Sequence, residues 1–275
     1  MFRNKKFLIS IVLLVVVGLA AGCGGNQGAQ KEVGAEKTTL TVGATPVPHT
    51  EILEKIKPIL AKEGIELEIK EFTDYVTPNI ALADGSIDAN FFQHVPYLND
   101  FKEERDLDLT YIAKVHIEPM GLYSKKISSL DEIEDGATIA LPNDVTNEGR
   151  SLLLLAEHGL IKLDKDAGLK ATPVDIVENP KNLKFEEIAA AQLPRVLPDV
   201  TAAVINTNYA LEADLVPTKD AIIMEGSESP YANVLAVKME DKDNEALNKL
   251  ADALTSKPVK KFIQEKYKGS IVATF

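Results

Sequence analysis

The spacing of hydrophobic positions along this chain changes period several times, and each change marks an element. "TLTVGAT", Thr39 to Thr45, is a short β-rich run that ends in a turn, and the stretch after it carries Ile52, Ile56, Ile59 and Leu60 at helical spacing. "ELEIKEF", Glu66 to Phe72, alternates with the period of two that a strand needs. A helix-like segment then holds Ile80, Ala81 and Leu82, and "IDANFF", Ile87 to Phe92, follows as a third strand. This β-α-β-α-β order implies a parallel sheet with helices on its faces.

After "LTYIAKVH", Leu109 to His116, the same alternation begins again. "MGLYS" is followed by a short helix at "SLDEIEDG", the strand "TIALP" and a loop that turns into a helix in "NDVTNEGRSLLLL", Asn143 to Leu155. The pattern continues through "VDIVEN", a helix over Glu186 to Ala191, and the strand "TAAVINT", Thr201 to Thr207. Near the end, Leu247, Leu250, Ala251 and Leu254 share one helical face, and Val259, Phe262 and Ile263 mark another helix. "SPYANVLAVKM", Ser229 to Met239, is nearly unbroken in its apolar character, as a strand buried on both faces should be, and belongs at or near the return to the first lobe. The expectation is an α/β protein of two lobes, each a mainly parallel sheet flanked by helices, with lobe 1 over 38–116 plus 238–275 and lobe 2 over 117–237. Lobes joined by extended segments form a hinged cleft, a common place for a ligand.

The chain of 275 residues is 45% hydrophobic, enough to bury a large core in one or two domains. Its start has the three parts of a secretory signal over 1–22: basic Arg3, Lys5 and Lys6, an apolar run from Phe7 to Ala21, and small residues before a cut. "LAAGC" closes on Cys23, the only cysteine, and resembles a bacterial lipobox, in which the cysteine becomes the lipid-bearing amino terminus. The residue three before the cysteine is Ala20 where that pattern has Leu, and Leu19 stands one place earlier. With no second cysteine the fold has no intrachain disulfide. Gly24 to Lys37 is small and polar, so 23–37 reads as a lipidated cysteine and flexible tether. Losing the signal removes three basic residues and takes the formal charge from −12 to −15, which argues against nucleic acid as a partner.

No G-x-S-x-G elbow, H-E-x-x-H helix or G-x-x-x-x-G-K-[ST] loop is present, so nothing pairs a nucleophile with a base, and no cofactor motif is found. Four histidines, His49, His94, His116 and His158, are too scattered for one helix or turn to gather, and a zinc site from His49, His94 and His116 would have to be assembled across the fold. "ANFFQHVPYL" puts Phe91, Phe92, His94 and Tyr97 at the C-terminal end of a predicted parallel strand, where open α/β sheets bind ligands. Alternation sends Phe92 and His94 one way and Phe91 the other. Tyr75 follows the preceding strand and reaches the same mouth.

Arg150 poses a charge problem. With Thr146 as N-cap it lies in the first helical turn, where free N–H groups and a partial positive charge disfavour a cation by some tenths of a kcal/mol. A bound carboxylate between helix end and guanidinium would reverse that sign; the alternative is a solvated arginine, or one paired with Glu148 or Asp144. Asn206 follows an apolar strand and either caps the next helix or meets a ligand. Asn233 sits inside an apolar strand, where a ligand or hinge hydrogen bond is the better account.

"TDYVTPNIALADGSIDANFFQHVPYL", "YSKKISSLDEIEDGATIALPNDVTNEGRSLLLL", "DIVENPKNLKFEEIAAAQLPR", "AVINTNYA" and "ESPYANV" together resemble the methionine-binding lipoproteins of bacterial ABC uptake systems, the NlpA/MetQ family, from about Thr39 to the C-terminus. The resemblance implies a two-lobed periplasmic-binding-protein fold of type II, no enzymatic activity and no cofactor or metal. It implies L-methionine as ligand, with D-methionine, a methionine-containing dipeptide or another apolar amino acid as variants. It also implies delivery to a membrane permease driven by an ATPase, and anchoring on the outer side of the cell membrane through lipid on Cys23. By that resemblance Arg150 takes the ligand carboxylate with Asn147 beside it. Asn206 and Asn233 fix the ligand's backbone end, and Tyr75, Phe92, His94 and Tyr97 form an aromatic wall around its side chain. A metal-binding receptor, a lipoprotein hydrolase and a purely structural surface lipoprotein are the remaining alternatives.

Overall fold

The computed structural model describes residues 38–226 and 229–275; the signal, Cys23 and the tether lie outside the described residues. Strand β1 (Thr38–Ala44) buries Leu40, Val42 and Ala44 on its inner side, and helix α1 (Glu51–Lys62) turns Ile52, Leu53, Ile56 and Leu60 into the same core. Gly64, at φ +77°, supplies the left-handed residue that ends α1 and starts β2 (Ile65–Glu71). Helix α2 (Thr77–Ala83), strand β3 (Ala89–His94), helix α3 (Val95–Glu104) and strand β4 (Leu109–Ile117) complete the first pass.

The chain crosses at Glu118–Met120 to a second sheet built from β5 (Gly121–Tyr123), β6 (Thr138–Pro142), β9 (Lys184–Ile188), β10 (Ala202–Ile205) and β11 (Ile223–Met224). Between these lie helix α4 (Val145–Glu157), the outlying ribbon of β7 (Lys162–Leu163) and β8 (Ile176–Glu178), and the short helices α5 (Leu193–Val196), α6 (Thr207–Glu212) and α7 (Pro217–Asp220). The chain then returns through β12 (Ala232–Lys238), α8 (Glu245–Leu254), α9 (Lys257–Tyr267) and β13 (Val272–Ala273). The first sheet has the order β13-β4-β12-β3-β1-β2 and the second β11-β5-β10-β6-β9. Both are mixed. β1 runs parallel to β2 and β3, and β6 parallel to β9 and β10, as the alternating order predicts, while the returning strands add antiparallel pairs.

Four segments differ from the reading of periodicity. Strand β12 is central in the first sheet, between β3 and β4, so the return crossing lies between Met224 and Ala232 rather than at residue 238. Its unbroken apolar run follows from burial on both faces. The helix expected over Glu186 to Ala191 is instead β9, paired with β6 from Thr138↔Lys184 to Pro142↔Ile188. Its glutamates suit a helix locally, but they also suit an exposed sheet edge, and the ladder decides. "SLDEIEDG" forms only a single 3-10 turn at Leu130–Glu132. "VDIVEN" does contain a strand, but β8 pairs with β7 alone, outside the main sheet.

Helix α4 lies so close to the Gly168–Lys170 turn that a Cβ on Gly149 would collide with the Leu169 carbonyl and sit 2.9 Å from the Ala171 nitrogen. Backbone cannot give way as a side-chain tip does. Gly149→Ala should therefore destabilise the protein by about 1–3 kcal/mol despite the better helix propensity of alanine. A lower urea midpoint checks this, and an unchanged midpoint would mean that the turn moves aside freely.

Candidate functional site

The C-terminal end of β3 builds one wall of the cleft. Phe92 and His94 point into it, while Phe91 points into the core, with its ring 4.7 Å from His49 and 5.4 Å from His116. His94 is also the N-cap of α3: its Nδ1 accepts the Tyr97 N–H at 3.1 Å, so the proton resides on Nε2, which donates to Asn147 Oδ1 at 3.0 Å. The Tyr97 hydroxyl donates to the Tyr75 carbonyl at 2.9 Å, and the Tyr75, Phe92 and Tyr97 rings meet with centroids about 6 Å apart. Tyr75 reaches across the cleft to Asn208 Oδ1 at 2.5 Å, and burial raises its hydroxyl far above the ordinary range. Behind this wall, Gln93, Asn79 and Asn90 share a closed set of buried amide hydrogen bonds that fixes the strand end.

The opposite wall is the start of α4, and here the sequence reading needs correction. The N-cap is Asp144, not Thr146: Asp144 Oδ1 accepts the Asn147 N–H at 3.0 Å, and Thr146 donates its hydroxyl to the same carboxylate. Arg150 therefore sits in the second turn, beyond most of the unfavourable field of the helix end. It pairs with neither Asp144 nor Glu148. Its Nε and Nη2 donate to the two oxygens of Glu225 at 2.8 and 2.5 Å, Nη2 also reaches the Glu118 carbonyl at 2.7 Å, and the guanidinium lies 4.2 Å from the Tyr231 ring centre. Burial opposes the charge, yet the Glu225 carboxylate outweighs it and holds the guanidinium above its usual range. Glu148 is raised to about 7 by burial and by facing Glu187. Among the described residues Arg150 Nη1 has no hydrogen-bond partner.

Asn206 occupies the N-cap position of α6, but its side chain does not cap. Its Nδ2 donates instead to Asn147 Oδ1 at 2.8 Å, and its own Oδ1 is buried without a partner. Asn208 Nδ2 is likewise buried and unpartnered. Asn233, on β12, accepts from His49 Nε2 at 3.2 Å. Each unmet buried group costs roughly 1–3 kcal/mol unless something completes it.

All eight residues singled out in the sequence, Tyr75, Phe92, His94, Tyr97, Asn147, Arg150, Asn206 and Asn233, line one cleft of about 330 Å³, counting the space at its mouth. Sequence reasoning missed Gln93, Glu118, Thr207 and Asn208, which line it too. The available signal for Glu118 was an acidic residue set in the apolar strand end "VHIEPM". Its carboxylate accepts from His116 Nε2 at 2.7 Å and lies 3.2 Å from His49 Nε2. These three side chains have donor atoms within 4.8 Å of one another, close enough to surround a metal ion. The His116 contact is already that of an imidazole N–H on a carboxylate, and the His49 N–H is given to Asn233. His94 stands apart from this cluster, on Asn147, so the trio His49, His94 and His116 is not gathered.

The chain matches the model of a family described as NlpA lipoprotein over residues 40–275. It is 43% identical over 273 residues, 98% of each chain, to a D-methionine-binding lipoprotein, MetQ, of Salmonella typhimurium. Among solved structures it resembles a nutrient binding protein of Burkholderia cenocepacia bound to methionine, at 50% identity and a TM-score of 0.84, over 86% of this chain and all of the other. It also resembles an ABC transporter periplasmic substrate-binding protein of Coxiella burnetii, at 46% identity and a TM-score of 0.82 with the same coverage.

Burial holds His49 neutral, with its pKa lowered to about 4, and lowers His94 and His116 to about 3, in His94 with help from the Arg150 charge. In the unfolded chain they titrate near 6.5. The stability they contribute is present above pH 6.5 and is lost as pH falls toward 3, because the unfolded state binds the protons. Glu118, Asp144 and Glu148, all raised by burial, act in the opposite sense. His94→Gln keeps a donor for Asn147 and should flatten the decline in unfolding free energy between pH 6.5 and 4, by up to about 1.4 kcal/mol per pH unit. Urea titrations across that range test it; equal slopes would mean that His94 is protonated in the folded protein.

Proposed function

This chain belongs to the NlpA lipoprotein family, and from that premise we propose that it captures L-methionine in the cleft between its lobes and delivers it to the permease and ATPase subunits of an ABC importer. Family members of this kind are substrate-binding proteins and not enzymes, so the hydrolase alternative falls. The chain would be held at the outer face of the cell membrane by lipid on Cys23.

The observation that carries the reading is the convergence of open hydrogen-bonding groups at the polar end of an aromatic-walled cleft. Arg150 Nη1 and Asn208 Nδ2 are donors without partners, and Asn206 Oδ1 is an acceptor without one. A zwitterionic amino acid carries both kinds of complement. In this reading its carboxylate meets Arg150 beside Asn147, and its ammonium meets acceptors from Asn206, Glu118 and Asn233. Its side chain then runs along Tyr75, Phe92, His94 and Tyr97, where a thioether gains about 0.3–1.5 kcal/mol per ring-edge contact. Hinge motion about the two crossings would close the lobes on the ligand. D-methionine, a methionine-containing dipeptide or another apolar amino acid are the variants that the same chemistry admits, and the Salmonella relative is described for D-methionine.

The test is thermal unfolding and calorimetry on the body from Gly24, refolded from denaturant to remove carried ligand. L-methionine should raise the unfolding midpoint more than D-methionine, glycyl-methionine or leucine. A shift confined to another of these would reassign the ligand. Arg150→Ala should weaken methionine binding by at least about 30-fold, since it removes a desolvated cation and strands Glu225. Asn233→Ala should weaken it with the lobes still folded. Undiminished affinity in either variant would remove that residue from the site.

A further inference from the structure

Glu118 places a carboxylate in the cleft wall at 7% side-chain exposure. Among the described residues no lysine or arginine lies within ion-pair distance of that carboxylate; its close partners are His49 and His116. Arg150 is near, but its Nη2 meets the Glu118 carbonyl, and its charge is matched by both oxygens of Glu225. A buried carboxylate with no cation of its own is costly unless donors solvate it.

The donors here are of a particular kind. His116 Nε2 donates to Oε1 at 2.7 Å, and His49 Nε2, which bonds Asn233 Oδ1, stands 3.2 Å from the same oxygen. The Thr45 hydroxyl, 2.8 Å from His49 Nδ1, can donate there and leave the ring proton on Nε2. Phe91 packs edge-on to both rings, at interplanar angles of 85° and 89°, and so fixes their planes. Neither histidine lines the cleft; they act from behind its wall. The neutral His116 imidazole donates a hydrogen bond and the neutral His49 ring packs beside it, and neither cancels the charge, whereas a lysine or arginine in their place would quench it. The cleft thus places near Arg150 a carboxylate whose charge burial disfavours and an incoming cation would favour.

We propose that His49 and His116 are positioning residues that hold the Glu118 carboxylate as counter-charge for the ligand's primary ammonium group, so that this cleft selects ligands that carry a free ammonium. The proposal rests on the amino-acid reading of the site. It assigns Glu118 the polar discrimination, while the aromatic wall reads the side chain.

The experiment compares dissociation constants of L-methionine and its des-amino analogue, in which hydrogen replaces the ammonium group, by calorimetry on the refolded body. Wild type should prefer methionine by at least about 100-fold, the size expected for a desolvated charge pair. His116→Phe keeps the ring and removes the donor; the preference should fall to about tenfold or less, with affinity for the des-amino analogue within about twofold of wild type. His116→Gln, which restores an N–H donor, should recover much of the preference. Glu118→Gln, of the same shape without charge, should lose it, and serves if His116→Phe does not fold. A parallel loss of both affinities in His116→Phe, or an unchanged ratio in Glu118→Gln, overturns the proposal while leaving methionine binding in place. Failure of wild type to bind methionine overturns the underlying site reading and the proposal together.

Discussion

The arrangement of the cleft depends on the buried ion pair between Arg150 and Glu225. Arg150 stands on α4 of the second lobe, and Glu225 stands at the start of the return crossing. Two charges at 3% and 12% side-chain exposure have lost most of their hydration, and their attraction roughly offsets that loss. The pair is therefore better understood as a positioning device than as a source of stability. By occupying Nε and Nη2, Glu225 sets the guanidinium plane and leaves Nη1 without a partner among the described residues. Tyr231 stacks on the same guanidinium, and Glu225 also accepts the Met120 N–H, so both crossings are tied to one arginine.

The lobes meet through polar contacts that also shape the pocket. Asn147 Oδ1 accepts from His94 of the first lobe and Asn206 of the second, while its amide donates to Asp144. Tyr75 reaches Asn208, Tyr209 reaches the Thr73 carbonyl at 3.2 Å, and on the surface Lys170 meets Asp100 at 2.5 Å. Such bonds exchange readily with water, each contributing about 1 kcal/mol net, so together they hold the lobes only modestly. Most apolar packing lies within each lobe, in separate clusters around α1 and around α4, with Leu211 packing across onto the first core and Tyr75 onto the second lobe, its ring 5.0 Å from that of Tyr209.

Local pattern accounts well for the elements that bury a stripe. Ile52, Ile56 and Leu60 of α1, and Leu247, Leu250 and Leu254 of α8, have helical spacing because only that period turns them all inward. It failed at β9, where a glutamate-rich run is an edge strand only because β6 offers a ladder. It failed also at the cap of α4: Thr146 and Asp144 are both competent N-caps, and the choice rests on where the loop leaves β6. Glu118 escaped notice because a lone carboxylate at a strand end looks like a surface residue until neighbouring His116 and distant His49 are seen beside it.

The sequence by itself determined most of the elements, the two-lobed α/β plan and the residue types that line the cleft, because periodicity, long motifs and side-chain chemistry are local properties of the chain. Only the tertiary structure decided who partners whom. It took Arg150 from Asp144 and Glu148 and gave it to Glu225, turned Asn206 from cap to cleft, and gathered His49 and His116 on Glu118. Except for His116 and Glu118, two residues apart on one strand end, those pairings join residues far apart along the chain, and their geometry is set by sheet register and lobe packing, which no local spacing encodes.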